Sequence, residues 1–176
     1  MADNEQISAI LAGCKAGDSQ CFSQLVDMYS ARCYGYFYRL TGNRDLSEEL
    51  LGELFARVVE KIGSFKGLYF DGWLFRIASN IFHDYLRERQ RQKKLLVKHR
   101  EQLEEQEREV GQTEGEDIDK LQKKLGQLDD ETRELIMLRF YSGMGFKEMA
   151  EMRSEPIGTT LSKVHRGLKK LRELME

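Results

Sequence analysis

The sequence predicts an all-α protein made of two small helical domains joined by a flexible charged linker. Apolar residues recur every three or four positions over most of the 176-residue chain, which is the period of an amphipathic helix. Only one proline, Pro156, interrupts these patterns, and no alternation of apolar and polar residues indicates a strand. We place the domains at residues 1–92 and 118–176, with the linker at 93–117.

The first domain is predicted to contain three main helices. One carries an apolar stripe over residues 22–40 and ends near Gly42. The next begins at Asp45, which we expect to cap it, and ends at Gly63. An aromatic loop follows, and Asp71 is expected to cap the third helix.

The last domain has the pattern of a helix-turn-helix. Asp129 or Asp130 is expected to cap its first helix, and a turn around Pro156 separates a short helix from a basic final one. That final helix is predicted to run from about Gly158 to Leu174. We expect its inward stripe to consist of Leu161, Val164, Leu168 and Leu171.

Charge is distributed unevenly along the chain. The net charge is −2, which argues against a protein that grips DNA non-specifically by itself. Residues 76–100 hold eight basic and two acidic side chains, whereas residues 101–117 hold one basic and eight acidic side chains. A strongly basic block therefore adjoins a strongly acidic one.

Several function classes are disfavoured by what the sequence lacks. The three cysteines and three histidines have no zinc-site spacing, so we expect no metal and no other cofactor. No phosphate-binding glycine loop or nucleophile motif is present, so we expect no enzyme. No apolar stretch is long enough to span a membrane, and the acidic start does not resemble a secretory signal. We therefore expect a cytoplasmic protein with no membrane partner.

The final helix is the stronger candidate for DNA binding. It carries no acidic residue between Ile157 and Arg172, and hydroxyl side chains lie in its first turns. A recognition helix enters the major groove with such residues. The alternative is a solvated basic face. The predicted DNA contacts are Thr159, Thr160, Ser162, Lys163 and Arg166.

The third helix and the loop before it form a second candidate. Single-stranded DNA is held by positive charge, aromatic stacking and side chains that pair with exposed base edges. The helix supplies a polar stripe and the loop supplies aromatic rings, although every amphipathic helix has a polar side. The predicted contacts are Arg76, Asn80, His83, Asp84 and Arg87 on the helix, with Phe65, Tyr69 and Phe70 from the loop.

Several of these runs resemble the extracytoplasmic-function, or group-four, RNA polymerase sigma factors. The run from Trp73 to Asn80, followed by Asp84 and Arg87, is similar to the signature of that family's region two. Residues 46–55 resemble its clamp-binding helix, with Glu49 where Asp is usual and Gly52 where Gln is usual. Residues 143–151 and 156–167 resemble the two helices of its region-four helix-turn-helix. The likeness covers nearly the whole chain.

The resemblance implies a sigma factor that binds core RNA polymerase, at its clamp and flap regions, and promoter DNA. Region two would capture a flipped base of the minus-ten element, and region four would recognise the minus-thirty-five element. Many members also bind an anti-sigma factor. The residues expected to contact polymerase are Glu48, Glu49, Gly52, Glu53 and Phe55.

Two alternatives belong to other classes. A sigma-like adaptor would bind polymerase, or another nucleic-acid machine, without reading its own promoter. An ordinary helix-turn-helix regulator acting alone would leave the aromatic loop and the Trp73–Arg87 signature without a role. Transcription by core polymerase with and without the protein separates the lead hypothesis from the adaptor.

Overall fold

The computed structural model of the chain describes residues 4–100 and 120–176. Within these residues every regular element is helical, which confirms the predicted fold class. A 3₁₀ turn at Ile62–Ser64 follows α3. The α-helices are α1 Asn4–Lys15, α2 Ser19–Thr41, α3 Arg44–Lys61, α4 Phe70–Arg100, α5 Lys120–Leu125, α6 Asp130–Ser142, α7 Phe146–Arg153 and α8 Ile157–Met175.

Helix ends follow the capping signals in part. Gly42 ends α2 in the left-handed conformation, with φ of 66°, and Asp129 caps α6 by accepting from the Thr132 amide at 2.8 Å, both as predicted. The prediction for Asp45 is wrong. Asn43 caps α3 instead, because its side-chain oxygen accepts from the Leu46 amide at 2.9 Å.

The predicted cap at Asp71 is also wrong, because α4 begins one residue earlier. The Asp71 carboxylate lies in the first turn of α4 and is used for a tertiary contact. It accepts a hydrogen bond from the Tyr29 hydroxyl at 2.7 Å and pairs with Arg32 at 2.6 Å. This aspartate therefore fastens α4 to α2.

An aromatic core holds α1 to α4 together. Tyr36 lies at its centre, with its ring edge-to-face against Phe37 and Phe75 at centroid distances of 5.4 and 5.3 Å. Leu54 from α3 and Phe82 from α4 complete the layer and are almost fully buried. The core contacts therefore fix which side of α4 is buried, and the opposite side remains available for binding.

Helix α8 packs on α6 and α7 with only half of the predicted stripe, because Val164 is buried and Leu171 packs against the core as predicted. Leu161 and Leu168 are 49% and 48% exposed, so the expected inward stripe is wrong for both. The close contact lies at Gly167, where an added Cβ would lie 2.3 Å from the Thr132 side chain. Because only glycine allows that approach, α8 turns Val164 inward and leaves the two leucines at the edge.

The two halves of the chain pack against each other through α5 and α6 on one side and α2 and α4 on the other. Gly35 allows a close approach, since a Cβ there would lie 2.9 Å from Tyr141. The Arg133 guanidinium donates to the carbonyls of Leu40, Leu125 and Leu128 at 2.8 to 2.9 Å. One arginine thereby joins the end of α2 to α5 and the turn after it.

The predicted linker is described only in part. Helix α4 continues to Arg100, so the boundary placed at residue 92 falls inside a helix. Residues 101–117, the acidic part of the predicted linker, lie outside the described residues.

Candidate nucleic-acid and polymerase interfaces

The polar stripe predicted on α4 lies on the side away from the aromatic core. Arg76 and Asn80 are exposed and lie about one helical turn apart. Asp84 follows one turn later and accepts from Arg87 on its own helix and from Arg57 of α3 at 3.3 Å. The stripe thus presents a cation, an amide and a braced carboxylate in sequence.

Neighbouring arginines favour the ionised form of the carboxylate in this stripe. The hydrogen bond from Arg87 is the main reason that the pKa of Asp84 lies below its usual value, and Arg57 adds to the effect. Asp84 is therefore ionised near neutral pH. An ionised carboxylate can accept hydrogen bonds from base amino groups or hold Arg87 in position.

The aromatic loop before α4 divides into buried and exposed parts. Phe65 and Phe70 are buried, with rings packed edge-to-face at 5.5 Å, so in this arrangement they brace the loop and cannot stack on bases. Tyr69 is partly exposed, and its hydroxyl donates to the Ser142 carbonyl of α6. Leu68, which was not singled out from the sequence, is fully exposed. The sequence feature that could have indicated Leu68 is an apolar residue placed directly after Gly67.

His83 pairs with a buried carboxylate of α6. Glu134 lies at the junction of the two halves, and its Oε2 is 2.8 Å from His83 Nε2. Glu134 also accepts from Ser79 of α4, from the Tyr36 hydroxyl of α2 at 3.2 Å and from Arg153 of α7. We call this group, Tyr36, Ser79, His83, Glu134 and Arg153, the junction cluster.

The junction cluster keeps its carboxylate charged. Burial by itself raises the pKa of Glu134, but the hydrogen bond from His83 and the charge of Arg153 outweigh it and hold that pKa below its usual value. A buried charge is tolerated when it is paired and hydrogen-bonded on all sides. The cluster therefore joins α2 and α4 to α6 and α7 by polar contacts within an apolar interface.

The first turns of α8 hold the residues predicted to contact DNA, but not all of them are free. Thr160 is buried, and its hydroxyl donates to Glu155 at 2.5 Å, so in this arrangement it cannot touch a base. Lys163 pairs with Glu131 at 2.7 Å and with Glu155 at 2.5 Å, and these bonds raise its pKa.

Three predicted residues of α8 remain available. Ser162 is exposed, and its hydroxyl donates to the carbonyl one turn back, that of Thr159, at 2.9 Å. Thr159 is half-buried near the start of the helix. Arg166 is exposed and has no hydrogen bond or ion pair with any described residue. The structure thus brings Thr159, Ser162 and Arg166 to one accessible side of α8.

The residues predicted to contact polymerase lie along α3. Glu48, Glu49 and Glu53 are exposed, and Glu53 pairs with Arg57 at 2.5 Å. Gly52 lies on the surface between them, and a Cβ there would meet no atom within 4 Å. Phe55 is half-buried against the core. This side of α3 is acidic and exposed.

Neither a metal cluster nor a membrane span is found in the part of the chain that the structure describes. No group of three histidine, cysteine or acidic side chains is placed to hold a metal ion there. None of the described helices combines the length and apolar character that crossing a membrane requires.

Comparison with known proteins accounts for both halves of the molecule. Residues 25–92 match the family Sigma-70 region 2, and residues 118–171 match Sigma-70, region 4. The chain is 30% identical to the ECF RNA polymerase sigma factor EcfG of Rhodopseudomonas palustris (strain TIE-1) over 77% of this chain and 75% of that protein. The chain belongs to the extracytoplasmic-function family of RNA polymerase sigma factors.

Further likenesses of this sigma factor cover nearly all of it. It is 29% identical to the ECF RNA polymerase sigma factor SigW of Bacillus subtilis (strain 168), over 90% of this chain and 91% of that protein. Among solved structures, the sigma factor RpoE from Bartonella quintana, in complex with the anti-sigma factor NepR, superposes with a TM-score of 0.68 at 26% identity. That match covers 88% of this chain and 96% of RpoE.

Membership of the family gives the general activity. Sigma factors bind core RNA polymerase and promoter DNA and direct promoter-specific transcription initiation, and they are not enzymes. In the following we call the first half, with α1 to α4, region two, and the second half, with α5 to α8, region four.

Proposed function

We propose that this sigma factor recognises promoters at two elements, with one helix reserved for each. Helix α4 and the loop before it capture a base of the minus-ten element, and α8 contacts the minus-thirty-five element. The observation that carries the proposal is the exposed stripe from Arg76 to Arg87 beside a loop that ends in the exposed Leu68 and Tyr69. An extruded base needs such a combination of hydrogen-bonding side chains and apolar contact.

Docking on core polymerase is the second part of the proposal. The exposed acidic side of α3, with Glu48, Glu49 and Glu53, would face the polymerase clamp, and region four would face the flap. Charge complementarity at such a surface sets register and association rate more than affinity. The domain limits at residues 1–92 and 118–176, with a linker between them, belong to the same proposal.

An anti-sigma factor is a further partner that we propose for this chain. RpoE, which shares the fold at 26% identity, was solved in complex with the anti-sigma factor NepR. In the present structure regions two and four pack directly on each other, which keeps His83 and Tyr69 of the minus-ten surface in contacts with region four.

Selection of active promoters tests the division of labour between the helices. Core polymerase with the wild-type protein should enrich a bipartite motif from a library randomised at both elements. Asn80→Ala should relax or shift the minus-ten half of that motif and leave the minus-thirty-five half intact, because the amide can pair with an extruded base edge.

The matched control for this selection is Gln92→Ala, which removes an exposed amide from a more distant part of the same helix. It should return the wild-type motif. A wild-type minus-ten preference in the Asn80 variant would show that this amide does not read bases. Transcription no better than that of core polymerase alone would instead favour the sigma-like adaptor.

A further inference from the structure

The predicted minus-ten stripe does not stop at Arg87, because cations continue it towards the end of α4. Arg91, Lys94 and Lys98 follow Arg87 at spacings of four, three and four residues, which places them on the same side of the helix as Arg76 and Asn80. At about 1.5 Å per residue, the extension from Arg87 to Lys98 adds roughly 16 Å to the stripe.

The extension lies in the part of α4 that projects beyond the core. Residues 88–98 are all exposed, and they contain five cations and one carboxylate. Arg91 pairs with Glu88 at 2.5 Å, but both side chains are largely open to solvent, so this pair holds the guanidinium weakly. Lys94 and Lys98 have no ion pair within the described part of the chain.

The apolar residues in this segment do not form a docking face. Leu95, Leu96 and Val97 are consecutive and exposed. Consecutive residues of an α-helix point about 100° apart, so the three side chains point in three different directions. A membrane surface or a partner helix requires apolar residues gathered on one side. Of the five cations, Arg91, Lys94 and Lys98 form the row in line with the stripe, whereas Arg89 and Lys93 lie on another side of the helix.

We propose that Arg91, Lys94 and Lys98 contact the sugar–phosphate backbone of promoter DNA beside the minus-ten bases, without reading sequence. The inference rests on the proposed function, since it takes the stripe from Arg76 to Arg87 as the base-reading part. A row of exposed cations in line with base-reading residues fits the next phosphates of the same DNA, and such contacts position a protein without specifying sequence.

The test uses the holoenzyme, assembled from core polymerase and full-length protein. The triple variant Arg91→Gln, Lys94→Gln, Lys98→Gln removes the charges and keeps good helix formers. The matched control, Lys61→Gln, Lys120→Gln, Lys123→Gln, removes three exposed cations elsewhere. Circular dichroism and core pull-down without DNA check both variants for folding and assembly.

Promoter affinity is then measured over a range of salt concentrations, on two promoters that share both elements but differ in flanking sequence. The slope of log affinity against log salt is negative, and each lost phosphate contact should make it shallower by about 0.9. The slope of the triple variant should therefore be less steep than that of wild type by about 2.7 on both promoters. The control should keep the wild-type slope.

Three results would overturn the inference. These are a slope equal to that of the control, a loss confined to one flanking sequence, or weaker core pull-down without DNA, which would assign the row to a protein contact. The proposed function fails separately, if the wild-type holoenzyme does not initiate at any selected promoter.

Discussion

Helices α4 and α8 are both proposed to contact DNA, yet their predicted contact residues differ in exposure. On α4 the predicted residues Arg76 and Asn80 are exposed, because the opposite side of that helix carries the core contacts. On α8, Thr160 and Lys163 are engaged by acidic residues of region four itself. The difference teaches that helical spacing places a residue on a face, whereas tertiary contacts decide whether it is free to bind.

The largest expected effect concerns the carboxylate that joins the two regions. Glu134→Ala should lower the free energy of unfolding by about 3–5 kcal/mol, because it leaves the largely buried Arg153 without its partner. Ser79→Ala and Tyr36→Phe each remove one donor to this charged carboxylate on the region-two side and should cost less, about 1.5–3 kcal/mol. Urea unfolding of the three variants measures the difference. A Glu134→Ala loss no larger than the donor variants would contradict the structure.

Acid should remove part of the same stabilisation. The pKa of Glu134 is lowered in the folded protein, so its contribution is fully present above the unfolded value of about 4.5 and is lost as the pH falls through the lower folded value. Unfolding of wild type and Glu134→Gln from about pH 6 to about pH 3 isolates this group, since Asp84, Asp129 and Glu155 titrate in both. The stability difference should shrink below about pH 4.5. A constant difference would show that Glu134 does not titrate in this window.

The comparison within α8 can be sharpened with two basic residues three positions apart. Arg166→Ala should weaken promoter binding by the holoenzyme by about 1–3 kcal/mol, because a free guanidinium can reach phosphate or guanine. Lys163→Ala should weaken it less, because its ammonium is held by Glu131 and Glu155. Promoter titration of both variants decides the order. An effect of Lys163→Ala larger than that of Arg166→Ala would mean that those ion pairs break on DNA.

The smallest effect is expected on α3. Gly52→Ala should stabilise the protein by about 0.5–1 kcal/mol, since Gly52 lies inside a helix and a Cβ there meets nothing. Glu49→Lys, one turn away on the acidic side of α3, should weaken core pull-down with little loss of helix content. Thermal unfolding and pull-down of both variants measure these outcomes. Core pull-down by Glu49→Lys equal to that by wild type would show that polymerase does not contact this side of α3.

The fold and the positions of the candidate residues could be predicted because they depend on local periodicity. The spacing of Arg76, Asn80 and Arg87 fixes their common side whatever surrounds the helix. The burial of Thr160 could not be predicted, because it depends on Glu155, which follows Ser154 in a turn with φ of 53°.

The junction cluster was equally hidden from local reasoning. Its hydrogen bonds join positions 98 and 55 residues apart in the chain, from Tyr36 and Ser79 to Glu134. Glutamate in an amphipathic helix ordinarily indicates a solvated position. Contacts at that separation follow from how the two regions dock, which no repeat in the sequence specifies.

The shared carboxylate has a consequence for dissecting the molecule. A fragment that ends after α4 would leave the Ser79 hydroxyl, the His83 imidazole and the Tyr36 phenol without their acceptor. A fragment of region four alone would keep Glu134 with Arg153 as its only partner from the cluster. Each isolated piece therefore has polar groups without the partners that they have in the intact chain. Binding constants measured on the pieces will include the hydration of these groups and its loss on association, and they will not sum to the behaviour of the whole.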